Sequence, residues 1–184
     1  MQFSQARPDA VRAISQRWLL NFWRERLGAQ RVPRWQSVEA DDLSRLSSNL
    51  SLLDVIGDNG GLRFQIRFHG EMIGRVYGSA DCRGLFLHES KPEPARAQAL
   101  APYRQAVASG RPVYLIHDVA DRQGRLVHYE RLLLPFSQDG ATVDRILASF
   151  EFVSPDGGFD NWDLMGKLSA PPALRLSATI ELRP

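Results

Sequence analysis

A single cysteine, Cys82, in 184 residues excludes an internal disulfide and fits a reducing cytoplasm, the compartment expected for this chain. Lysine is also scarce, two residues against 21 arginines, a skew that reads as coding bias before phosphate chemistry. No run approaches the ~20 apolar residues of a membrane-spanning helix. Met1–Arg17 mixes Gln, Arg and Asp without an apolar stretch, so no secretory signal is expected there. Charge of one sign is not in excess: the net is +2, with basic residues scattered among acidic ones. That is too even for a nucleic-acid footprint, even at an isoelectric point near 9.0. Catalytic constellations are missing too. There is no Ser/His/Asp arrangement, phosphate loop or clustered carboxylate pair, and Gly60-Gly61 and Gly157-Gly158 read as turns. His69, His88, His117 and His128 are scattered without helical metal-site spacing, so no metal and no enzyme activity are expected.

What is present is a patterned core. Hydrophobic residues make up 43% and charged residues 24%, ordinary for a globular domain. Strand-like runs occur at Leu50–Ile56, Leu62–His69, Pro112–Ala120, Leu126–Phe136 and Val143–Val153, with helical stretches Glu71–Gly78 and Ala95–Ser109 in the middle. Leu62, Phe64, Ile66 and Phe68 alternate with polar residues, which buries one face. Asp58-Asn59-Gly60-Gly61, Asp121–Gly124 and Ser137–Gly140 supply turn residues for short antiparallel connections. Pro135 near a strand end is tolerable there. The expected fold is α+β: a five-stranded antiparallel sheet with helices on one face.

The chain divides into three parts: residues 1–32, an amphipathic helix and linker; 33–153, the domain; and 154–184, a C-terminal extension. The helix is expected over residues 8–28, with Pro8 in its first turn and Gly28 as its stop. Val11, Ile14, Trp18, Phe22 and Leu27 form an apolar stripe with Trp23 beside it. Two readings stay open: the stripe caps its own sheet, or it pairs with a second copy in a homodimer. Pro155–Gly158 and Pro171-Pro172 break the extension. Its Leu174, Leu176, Ile180 and Leu182 suit either an added strand or a flexible tail.

Several spaced motifs carry a resemblance: Trp23…Val32-Pro33-Arg34, Leu52-Leu53-Asp54-Val55, Phe64–Gly70, Gly84 and, most specifically, Tyr129-Glu130-Arg131-Leu132-Leu133-Leu134-Pro135. Over residues 20–153 the chain resembles a bacterial family of small stand-alone PAS domains, the PAS_5 family. Trp35 is a departure, an aromatic where a polar or basic residue is expected. The resemblance implies a PAS fold and a part in signal transduction, and brings no catalytic residues. It also implies a pocket walled by Ile73, Tyr77, Tyr103 and Val107 from the helical middle. Inward sheet residues Phe68, Ile116, Tyr129, Arg131 and Phe150 would complete it.

Cofactor signatures are weak in this frame. Asp81-Cys82-Arg83 is similar to the Asn-Cys-Arg-Phe-Leu-Gln motif of flavin photosensors. Cys82 stands two residues before Gly84, however, so its thiol is expected to point elsewhere. A haem would need an axial histidine on the helical wall, and only His88 lies near it. Within Tyr129-Glu130-Arg131 a charge must be partly buried, which is costly unless paired. Either Glu130 bridges to Arg67 or Arg63, or Arg131 meets an anionic ligand, for whose carboxylate its fork is suited. The expected function is a regulatory module acting in trans on a signalling protein, with a small ligand as a further possibility. The second reading is a small-molecule-binding protein or enzyme that uses the cavity between sheet and helices.

Overall fold

The computed structural model describes residues 1–58, 61–79, 81–89, 95–166, 168 and 171–181. The turn at Asn59-Gly60 and Leu182 lie outside them. The elements run β1 (Ser4–Ala6), α1 (Ile14–Leu27), β2 (Leu50–Asp58), β3 (Gly61–His69), α2 (Glu71–Tyr77), α3 (Ala95–Ser109), β4 (Val113–Ala120), β5 (Leu126–Phe136), β6 (Arg145–Val153) and β7 (Ala173–Ile180). A short 3-10 turn (Pro8–Ala10) precedes α1, and a second short one (Trp35–Ser37) and a ten-residue 3-10 segment (Ala40–Asn49) precede β2.

The sheet corrects the expected architecture. Among the described residues it has seven strands in the order β1-β7-β4-β5-β6-β2-β3, and it is mixed, because β1 runs parallel to β7. The five expected strands are its antiparallel body. The sixth, β7, comes from the C-terminal extension and pairs antiparallel with β4 from Val113↔Thr179 to Asp118↔Ala173. Leu164, Ala178 and Ile180 of that extension are buried.

Alternation along each strand sorts residues between two faces. On β5, Tyr129, Arg131 and Leu133 face α2 and α3, the inner side. Glu130, Leu132 and Leu134 face outward. Helix α1 covers that outer face, so helices stand on both sides of the sheet and not on one. Gln16 donates from Nε2 to the carbonyls of Ser149 (3.2 Å) and Glu130 (3.4 Å), and Trp23 Nε1 donates to the Pro135 carbonyl at 2.6 Å. Val11, Leu19, Leu20, Phe22 and Trp23 are all buried within the chain. The helix begins at Ile14, six residues later than expected. The Arg12 N–H is drawn off to the Tyr114 hydroxyl at 3.2 Å, leaving it no place in a helical ladder. Gly28 ends the helix at φ +53°.

Helix α2 is set close against the segment before β2. A Cβ on Gly70 would lie 2.3 Å from the Ser48 carbonyl oxygen and 2.4 Å from that of Ser47, so only glycine permits this approach. Gly78 then stops α2 in the left-handed conformation, at φ +58°.

Candidate functional site

Between the inner sheet face and helices α2 and α3 lies a partly enclosed cavity of about 140 Å³ with mostly apolar walls. Strand β2 contributes Ser51 and Leu53, and β3 contributes Ile66 and His69. Ile73 and Tyr77 come from α2, Ala99 and Tyr103 from α3, Arg131 from β5 and Phe150 from β6. Ser79, Cys82 and Leu87 complete the wall from the segment after α2.

Of the nine residues expected on this wall, Ile73, Tyr77, Tyr103, Arg131 and Phe150 lie on it. Tyr129 stands one layer behind. Its hydroxyl shares a 2.7 Å hydrogen bond with that of Tyr77, and its ring stacks on Phe152 with centroids 4.9 Å apart. Val107 packs against the core off the wall. Phe68 and Ile116 need correction. The pairing of β2 with β3 slips between Leu52↔Phe68 and Leu53↔Ile66, a bulge that inserts Arg67 and reverses the facing of Phe68 and His69. Phe68 is thereby 40% exposed, and His69 takes the inward place. Ile116 sits opposite Glu130, hence on the α1 side, while its neighbour Leu115 sits opposite Arg131.

Two other expectations change. No bridge joins Glu130 to Arg67 or Arg63, because β6 and β2 stand between β5 and β3, an offset of about 14 Å at ordinary strand spacing. Glu130 instead accepts a 2.5 Å hydrogen bond from the Tyr114 hydroxyl on the outer face, and Arg67 pairs with Asp54. Cys82 lines the cavity and does not point elsewhere. The segment carrying it runs along the free edge of β3: Gly84 N–H donates to Ile66 O at 2.7 Å and Leu87 N–H to Phe64 O at 2.8 Å. Neither the bulge nor this edge pairing has a signature in residue type, so Ser51, His69, Cys82 and Leu87 were not legible as wall residues. Leu53 and Ile66 were legible in principle, through strand alternation.

Arg131 is the charge inside this space. It is 9% exposed, and its Nε is buried without a hydrogen-bond partner. Its guanidinium carbon lies 5.4 Å from the centroid of the Tyr129 ring. Among the described residues no carboxylate forms an ion pair with it. Burial pushes the Tyr103 hydroxyl up to about 12, against the pull of the Arg131 cation, so that hydroxyl stays protonated beside it.

His117, on the inner face opposite Tyr129 with ring centroids 6.1 Å apart, is held neutral. Burial lowers it from 6.5 to about 4, and the Arg131 charge adds to the effect while Asp118 opposes it. A depressed imidazole gives stability that is complete above the unfolded value and lost as pH falls from 6.5 towards 4. The full loss is on the order of 3 kcal/mol. Urea unfolding of wild type and His117→Gln at pH 7.5 and 5 is expected to show a smaller pH-dependent drop in the variant; equal drops would mean that His117 titrates normally. Carboxylate contributions are common to both proteins and cancel in the comparison.

A family model described as PAS domain matches residues 11–151. The chain belongs to the PAS domain family. The match spans every wall residue of the cavity and the sheet body as far as Glu151 of β6, while β1 and β7 fall outside it. Among solved structures, this PAS domain aligns with the Rhodobacter sphaeroides LOV protein at 16% identity and a TM-score of 0.44, covering 65% of this chain and 71% of that chain. No curated protein matches the sequence. No helix among the described residues is long and apolar enough to cross a membrane.

Proposed function

We propose that this PAS domain is a sensory module of bacterial signal transduction, whose input is a small molecule held between sheet and helices and whose output is contact with a separate signalling protein. The supporting observation is the cavity, bounded by four strands and two helices and able to hold a small organic molecule. Its volume is close to that of a ~150 Å³ engineered cavity that accepts benzene. A ligand of about one ring suits it better than the three-ring system of a flavin. The module works in the cytoplasm, without catalysis and without nucleic acid.

Self-association rests on a smaller surface than the apolar stripe suggested. Val11, Phe22 and Trp23 are buried against their own sheet, while Ile14 and Trp18 are 79% and 46% exposed. A homodimer would therefore form through Ile14 and Trp18.

Native mass spectrometry of the purified protein reads ligand and oligomeric state together. A retained or readily loaded small-molecule adduct is expected. Failure of the protein to take up any compound from a library of small organic molecules would leave a pure interaction module.

A further inference from the structure

We propose that the cavity's ligand is a compact monocarboxylate, its anion seated on the Arg131 guanidinium and its apolar body lying against Leu53, Ile66, Ile73 and Phe150. This deepens the reading of the cavity as a ligand site and rests on it.

The argument starts from the cost of the arginine. A guanidinium is not deprotonated in proteins, and a charge withdrawn from water is unfavourable unless it is paired. Arg131 is withdrawn, and its Nε has no partner. Its neighbours are tyrosines and a histidine: the guanidinium is hydrogen-bonded to the Tyr103 hydroxyl, and none of them brings a negative charge. Tyr103 keeps its proton and His117 stays neutral. The face of the Tyr129 ring offsets part of the charge, but a ring quadrupole is no substitute for an anion. The arginine thus opens onto a cavity where one unit of negative charge is wanted.

The same surroundings limit what the anion can be. One guanidinium neutralises one charge, and its planar fork suits the two oxygens of a carboxylate. Phosphate or a dicarboxylate would bring a second charge that no second arginine or lysine among the described wall residues meets, against Leu53, Ile66, Ile73 and Phe150. A neutral aromatic would fill the apolar part and leave the guanidinium unpaired. Tyr103 and Tyr77, both on the wall, have hydroxyls that can donate to a carboxylate. Size closes the choice: about 140 Å³ suits one ring or a chain of about six carbons.

Isothermal titration of the full chain with benzoate and hexanoate, each against its neutral amide, tests the class. Wild type is expected to prefer the acid about tenfold or more, the range for a hydrogen-bonded charge. Arg131→Met should abolish that preference while still admitting the amides, and Arg131→Lys should keep part of it. Replacing a buried cation by an apolar side chain of similar length is often tolerated. Should the methionine variant fail to fold, the acid-to-amide ratio in wild type and the lysine variant carry the test. Equal binding of acid and amide by wild type would overturn the carboxylate class and leave the cavity as a site for neutral ligands. Acid preference that survives in Arg131→Met would place the anion elsewhere and overturn the proposal. Binding of neither kind of probe would overturn it too, and the cavity reading would then stand or fall on the mass-spectrometric screen.

Discussion

Replacing Trp23 by alanine is expected to cost about 3–5 kcal/mol, the range for deleting a large aromatic from a packed core. The residue is fully buried, and it sits where α1 meets the outer sheet face. Its indole N–H donates to the Pro135 carbonyl at 2.6 Å. Pro135 lies on β5 beyond the last pairing with β4, Val113↔Leu133, so the indole serves a carbonyl that the sheet does not use on that side. Alanine would remove the ring and strand that acceptor, and a buried acceptor left unmade adds to the loss. Domains of this size have only about 5–15 kcal/mol in total, so much of the margin would go. Trp18 is the control. It stacks on Phe22 with centroids 5.2 Å apart yet is 46% exposed, and Trp18→Ala should cost under about 1 kcal/mol, as exposed substitutions do. Urea unfolding of both variants measures this. Equal midpoints for Trp23→Ala and wild type would mean that α1 does not dock on its own sheet in solution.

The contrast between these two tryptophans shows what periodicity can and cannot carry. An apolar stripe identifies a face but not its partner, and for Val11, Phe22 and Trp23 the partner is the chain's own sheet while Ile14 and Trp18 stay exposed. The five body strands were legible because their turns are marked by residue type: Gly124 and Gly140 sit at φ +77° and +85° in the places where the turns were expected. Strand β1 was not legible. Ser4, Gln5 and Ala6 have no strand pattern of their own and become a strand only by pairing with Ala178–Ile180, more than 170 residues away.

Within the cavity the helical residues were easier to place than the sheet residues. On α2 and α3 an apolar face can point only at the sheet. On β4 and β5, by contrast, nearly every residue is buried on both faces, because α1 covers one side and α2 with α3 the other. Alternation vanishes in a sheet covered twice, and the facing of Ile116 could not be read from it for that reason. Arg131 remained legible because a charge in the middle of such a strand must meet something.

Truncation after Val153 is expected to abolish monodisperse protein, although residues 154–184 read as an extension beyond the domain. Strand β7 is the partner of β4 on one side and of β1 on the other. Its loss would bare the whole edge of β4, whose Val113–Val119 stretch is almost entirely buried. Long apolar edges pair with other chains. Burial of Ile180 and Leu164 would go with it, at about 1.5–3 kcal/mol each. So would the bond from Gln105 Nε2 to Thr179 Oγ1 at 3.1 Å, which ties α3 to β7. The segment before β7 also holds α2: Asp163 and Met165 N–H donate to the Arg75 and Val76 carbonyls at 2.8 and 2.9 Å. Because α2 supplies Ile73 and Tyr77 to the cavity, the truncated chain should lose the ligand site as well as the sheet edge. Size-exclusion chromatography with light scattering should find aggregate or no recoverable protein. A monodisperse truncated protein that melts at the full-length temperature would mean that the domain ends at Val153 after all.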